Sequence, residues 1–307
     1  MSLHFRTGLA AFALAAAALP AASQTLVGRA DSVYTWRGQI TAGRTLAVRN
    51  FNGPIDVRAA SGTTAEVRAE KRTDRGNGAW SDVAFEVQAG NGAGDVTICA
   101  VYRGRNPCDD RGWNDDDDDR GSRRNMTVAM TILVPRGTQV RIATGNGAIS
   151  IQQVSGDVTA ATGNGRVHVT GTEGTVRVST GNGDVDVRDS RSQVRVTTGN
   201  GRVTVGTMEG PVEARTGNGD IEVSMSKLKG NPDMEFHTGS GNVRVTLPSG
   251  FGAELDASTG NGEISSDFDL KVQGSVNPRR IHATIGAGGS RLRMTTGNGR
   301  LEIRKAG

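Results

Sequence analysis

Four acidic side chains, Asp184, Asp186, Asp220 and Glu222, recur at regular spacing in the middle of this 307-residue chain. A polysaccharide hydrolase or lyase needs such carboxylates in pairs, one to donate a proton and one to act as base or nucleophile. Three histidines, His168, His237 and His282, lack metal-ligand spacing and have no cysteine beside them. A denser acidic cluster comprises Asp109, Asp110 and Asp115 to Asp119, with Arg111, Arg120, Arg123 and Arg124 around it. Carboxylates this crowded have the chemistry to hold calcium. Their spacing matches no calcium loop, however, and a run of like charge reads first as a solvated loop. Cys99 and Cys108 lie nine positions apart. They can form a disulfide in an oxidising compartment, the alternative being two free thiols. The recurring Gly-Asn-Gly triplets begin like a dinucleotide fingerprint, but the third glycine and the following helix are missing. No catalytic residue, metal or cofactor is expected from this inventory.

The elements that would position these residues are visible in the same stretch. Set in nines from Thr144, the chain reads TGNGAISIQ, QVSGDVTAA, TGNGRVHVT, GTEGTVRVS, TGNGDVDVR, DSRSQVRVT, TGNGRVTVG, TMEGPVEAR and TGNGDIEVS, ending at Ser224. The fourth position is glycine in every block but one, where Ser192 stands. The sixth is always Val or Ile, and the eighth is always apolar. Positions six and eight point to one face of a strand, and five, seven and nine to the other. The four opening residues read as a corner, because glycine accepts positive φ and asparagine tolerates it. Each block is therefore one short strand plus one corner.

TGNG returns only at every second block, so the unit is an 18-residue coil with two strands and two unlike corners. One coil cannot bury its own apolar face; a stack of them can. The expected fold is all-β, a right-handed parallel β-solenoid with about two short strands per coil. An antiparallel meander is the competing reading, since Asn-Gly is also a hairpin signal. Only the solenoid stacks like residues in rows. It places Arg166, Asp184, Arg202 and Asp220 in one column, and His168, Asp186, Thr204 and Glu222 in another. It also stacks the corner residues Asn146, Asn164, Asn182, Asn200 and Asn218 as an amide ladder with a structural role.

Residues 1–23 read as a secretory signal peptide: a polar start with Arg6, an apolar run from Gly8 to Leu19, then Pro20 and small residues before Gln24. That run is too short to span a bilayer, and no transmembrane anchor is expected elsewhere. The localisation expected is export, to the periplasm, the cell surface or the medium. Residues 24–136 form a less regular N-terminal β region with an acidic loop at 108–124, and 137–307 the repetitive solenoid continuous with it. Losing Arg6 with the signal leaves 35 cations against 32 anions, too even a balance to imply nucleic acid. Aromatic residues that could stack on sugars are scarce, and Trp36, Trp80 and Trp113 are all N-terminal.

The TGNG and TGSG corners, the segment NGPIDV from Asn52 to Val57, and the stretch LDASTGNGEISSDF to RLEIRK between Leu255 and Lys305 resemble the putative-adhesin domain family. These are bacterial envelope proteins of uncharacterised role built as glycine-cornered β-solenoids. The resemblance covers most of residues 40–307 and excludes the acidic insertion. It implies a non-enzymatic exported protein for cell-surface or envelope interaction, whose partner is an unidentified protein or polysaccharide. Strand edges at the two ends of the stack would also offer end-to-end self-association. The alternative function is a carbohydrate-active enzyme, a lyase or hydrolase, on the same secreted scaffold.

Overall fold

The computed structural model describes residues 26–28, 31–73, 79–89, 94–102, 108, 126–230, 232–273 and 277–306. The expected signal peptide and nearly all of the acidic loop lie outside these residues. Two long sheets, of 14 and 12 strands, face each other across one apolar column. Among the described residues there is no α-helix, only a 3-10 turn at Trp80–Asp82. None is long and apolar enough to cross a membrane.

Successive coils pair in parallel and in register, as an 18-residue period demands. Val158–Asn164 lies between Gln139–Asn146 and Val176–Asn182 in the first sheet. Val167–Thr170 lies between Ile149–Gln152 and Val185–Ser190 in the second. Val167, Val185 and Val203 therefore stand directly above one another, and all are fully buried. Each coil contributes four such side chains, for example Val176, Val178, Val185 and Val187. This buried apolar column holds the coils together.

The structure corrects the reading of the corner. The Thr, Gly and Asn of TGNG continue the strand, and only the last glycine and its successor turn the chain. The threonine side chain points inward and is buried. Its hydroxyl donates to the carbonyl of a corner glycine in the adjacent coil: Thr162 to Gly147 at 3.1 Å, Thr180 to Gly165 at 3.2 Å, Thr198 to Gly183 at 3.2 Å, Thr216 to Gly201 at 3.2 Å. A polar residue is thus tolerated in the core because its one donor is satisfied. The close stacking also explains the glycines. A Cβ placed on Gly201, where φ is +150°, would sit 2.1 Å from the Gly183 carbonyl oxygen.

The irregular spacing late in the chain has a topological cause rather than a simple lengthening of coils. Ser290–Asn298 does not stack at the end. It inserts between Met234–Ser240 and Ala253–Asn261, pairing in parallel with both. Leu301–Lys305 inserts likewise between Val243–Leu247 and Ile264–Ser266. The outermost positions are taken by Arg280–Ile285 and Leu270–Val272, which run antiparallel. The other end repeats the arrangement. Thr45–Asn52 lies between Val96–Tyr102 and Gln139–Asn146, and Ile55–Ala59 between Met126–Val134 and Ile149–Gln152. Beyond these, Thr64–Thr73 and Val33–Gln39 continue the second sheet in antiparallel fashion. Lys71 is buried in this N-terminal region, its ammonium donating to the carbonyls of Trp80 and Val83 at 3.0 and 2.6 Å. Burial lowers its pKa.

Candidate interaction surface

The outer face of the second sheet carries Asp184, Asp186, Asp220 and Glu222, the carboxylates that a hydrolase or lyase would draw on. Its rows stack as the period requires, and opposite charges alternate. Arg166 lies 3.2 Å from Asp184, Arg188 2.9 Å from Asp186, Arg202 3.9 Å from Asp220 and Arg244 4.0 Å from Glu222. His168 adds a contact to Asp186 at 3.4 Å. Asp184 also accepts the backbone N–H of Arg202 one coil on, at 2.9 Å, and Asp220 that of Asn242 at 2.8 Å. That backbone donor, with Arg166 beside it, pulls the Asp184 pKa down. Glu302, held by Arg244 and Arg304 at 2.9 Å each, is lowered to about 2. Asp184 and Glu302, the two whose shifts are downward, are thus held by backbone and arginine donors.

The outer face of the first sheet is built differently. Each strand presents a mostly charged position, a mostly small one and then a glycine. The glycines Gly163, Gly181, Gly199 and Gly217 approach so closely that a Cβ on each would lie 2.5–2.6 Å from the carbonyl oxygen of the glycine in the coil before. They form a trough whose floor is bare backbone. Along its rim runs the asparagine column. Asn164 donates from Nδ2 to Asn146 Oδ1 at 2.8 Å, Asn182 to Asn164 at 2.9 Å, Asn200 to Asn182 at 2.8 Å and Asn218 to Asn200 at 2.8 Å. Ser240 interrupts the column, and Asn261 resumes it by donating to Asn298 at 2.8 Å.

Charge on this face is unevenly matched. In the middle, Arg195, Glu213, Arg215 and Glu235 form a chain of ion pairs at 2.7, 3.2 and 2.7 Å. On either side, Arg141, Arg177 and Arg293 are exposed and have no carboxylate partner among the described residues. The same holds for Arg279, on the turn that precedes Arg280–Ile285, and for Arg280, the first residue of that strand. This turn is fixed by Asn277, whose side chain accepts the Arg279 N–H at 2.9 Å and whose carbonyl accepts the Arg280 N–H at 3.0 Å. The Thr259 N–H then donates to the Arg279 carbonyl at 2.9 Å, docking the turn on the sheet. Between turn and sheet lies a groove of about 540 Å³ over Gly239, Gly297 and Gly260, lined also by His237, Ser258 and Thr295.

Cys99 and Cys108 are joined by a disulfide, with Cα atoms 5.7 Å apart. It fastens the start of the acidic loop to the first sheet; Asp109 to Asp119 themselves lie outside the described residues. The histidines do not converge: His168 and His282 each meet one aspartate, Asp186 and Asp256, at 3.4 Å. Among the described residues, no three His, Cys, Asp or Glu side chains gather as a metal site would require. Sequence reasoning missed a second set of acidic clamps. Asp157 accepts the Thr175 N–H at 2.8 Å, Asp233 the Arg291 N–H at 2.8 Å and Asp95 the Thr45 N–H at 2.9 Å. The recurring Gly-Asp at block positions four and five was the available signal for three of the five clamping aspartates, Asp157, Asp184 and Asp220.

A family model described as Toastrack DUF4097 matches residues 116–304, more than half of the chain. No curated protein matches it. Among solved structures, a putative adhesin from Parabacteroides distasonis shares 10% identity over 88% of this chain and 96% of its own, with a TM-score of 0.44. One from Parabacteroides merdae shares 10% over 89% and 96%, with a TM-score of 0.43. A putative cell adhesion protein from Clostridium sporogenes shares 11% over 89% and 100%, with a TM-score of 0.33. The chain belongs to the Toastrack DUF4097 family.

Proposed function

We propose that this is an exported, non-enzymatic solenoid that acts in cell-surface or envelope interaction through its long sheet faces. The observation that carries this reading is the state of the repeat carboxylates. Asp184, Asp186, Asp220 and Glu222 each lie within 4.0 Å of an arginine. A general acid working near neutral pH needs a carboxyl raised above its ordinary value. The resolved carboxyl shifts, at Glu70, Asp184 and Glu302, all run downward. That weighs against a lyase or hydrolase on the second sheet. The apolar leader at residues 1–23 and the cysteine pair support passage into an oxidising space.

Fractionation of cells carrying a tagged chain tests the proposal. The mature protein should start at Gln24 by mass, leave the cytoplasm and sediment with isolated envelopes. A full-length chain beginning at Met1 and confined to the cytoplasm would overturn it. Polysaccharide turnover that disappears in Asp184→Ala/Asp186→Ala would favour the enzyme instead.

A further inference from the structure

Resting on that surface-interaction reading, we infer that the groove over Gly239, Gly297 and Gly260 takes a stretch of acidic polysaccharide, with Arg279 and Arg280 holding its carboxylate groups. The first argument is charge. The second sheet pairs its arginines with its own carboxylates, as at Arg166–Asp184, Arg188–Asp186 and Arg304–Glu302. Arg279 and Arg280 have no such partner among the described residues and project from a turn already fixed by Asn277. The backbone of both residues is tied down by Asn277 and Thr259, and each guanidinium offers a fork of donors suited to a carboxylate.

The second argument is shape. The glycine floor cannot be filled from within: a Cβ on Gly297 would lie 2.5 Å from the Gly239 carbonyl, and one on Gly260 2.5 Å from that of Gly297. The groove of about 540 Å³ is therefore a fixed feature of three stacked coils. Those coils repeat polar positions at about 4.8 Å, the spacing of neighbouring strands. Thr295, Ser258 and His237 occupy one such row. A pyranose unit in an extended chain advances by a similar step, so a polymer of sugars meets the same kind of group at each coil.

The third argument concerns other polymers. A peptide strand binds a sheet by adding to an edge, whereas the backbone groups on this face are spent in the ladder. No Phe, Tyr or Trp lines the groove, so single-stranded nucleic acid finds no large stacking platform.

The test is electrophoresis of the folded protein through gels containing polygalacturonate, with dextran gels as the neutral control. Wild type should be retarded by polygalacturonate alone, and less so as salt rises. Arg279→Ala/Arg280→Ala should bind about tenfold more weakly, the loss of two exposed charge contacts. Arg188→Ala/Arg304→Ala, which removes two cations from the opposite sheet, should bind as wild type does. Circular dichroism would verify that both variants fold. Equal loss in the two variants, or no loss at the turn, overturns the assignment. So does competition by poly-L-glutamate as effective as by polygalacturonate, which would make this face a generic cation patch. If wild type ignores polygalacturonate yet still sediments with envelopes, the groove is wrong and the surface reading stands; if it does neither, both fall.

Discussion

Removing residues 288–307 tests the threaded order of the coils. In an open-ended stack the last coil touches one neighbour, and its loss leaves the rest intact. Here Ser290–Asn298 and Leu301–Lys305 are hydrogen-bonded on both sides. They bring Leu292, Met294, Leu301 and Ile303, each no more than 1% exposed, into the core. Burying side chains of this size contributes about 1.5–3 kcal/mol each, so four contribute about 6–12 kcal/mol before ordering entropy is set against them. A domain's net stability is only about 5–15 kcal/mol. The deletion also strips Ala253–Asn261 and Ile264–Ser266 of their parallel partners. Urea unfolding by far-UV circular dichroism should show a collapsed midpoint, or no cooperative transition. Hydrogen exchange should show residues 253–285 unprotected even in dilute buffer. Leu301→Ala offers a milder version, losing about 2–4 kcal/mol with the full chain retained. A truncated protein with the wild-type midpoint and protected amides across 253–285 would refute the threading.

Three further outcomes follow from the corners and ion pairs. Gly201→Ala puts a methyl group 2.1 Å from a carbonyl oxygen at φ +150°, and should lower stability by about 2–3 kcal/mol in urea titrations, whereas Ala at the open corner Gly62, which has nothing within 4 Å, should cost less than about 1 kcal/mol. Thr180→Val keeps the shape but removes the hydroxyl bonded to Gly165; a loss of about 1 kcal/mol is expected, and no loss would mean that this bond is energetically idle. Glu302 has its folded pKa lowered from 4.5 to about 2. Its contribution is therefore complete above about pH 4.5 and drains away as the pH falls towards 2. Glu302→Gln should flatten that part of the urea-midpoint profile relative to wild type and leave the slope above pH 6 alone.

Much of this architecture was legible because the code is short and local. Val or Ile at the sixth position and an apolar residue at the eighth define the inward face, and Val167, Val185 and Val203 stack as that pattern says. The asparagine column and the alternating Arg166, Asp184, Arg202 and Asp220 follow from the 18-residue identity. Thr162 and its equivalents misled, because a hydroxyl among turn-forming residues gives no hint that it faces the core. What reveals its place is the carbonyl of another coil, which is a fact of stacking. Coil order was illegible for a deeper reason. Every coil presents nearly the same inward rows above and below, so Ser290–Asn298 fits between any two of them, and the period defines a rung without numbering it. The groove under Arg279 and Arg280 depends on that order, since it joins segments from 237, 258 and 295 that the sequence keeps apart.

The asparagine column has a sense of direction. Each carboxamide from Asn164 to Asn218 gives its hydrogen to the coil before and shows its oxygen to the coil after. Backbone dipoles in a sheet largely cancel, but side-chain dipoles aligned in file add and polarise one another. The sum leaves an amide hydrogen-rich pole at Asn146 and an oxygen-rich pole at Asn218. None of Asn164, Asn182 and Asn200 can turn over without severing its bonds to both neighbours, so the polarity is held in common. A filament of near-identical rungs is thereby given two electrically different ends, and any chain lying beside it can tell which way is up.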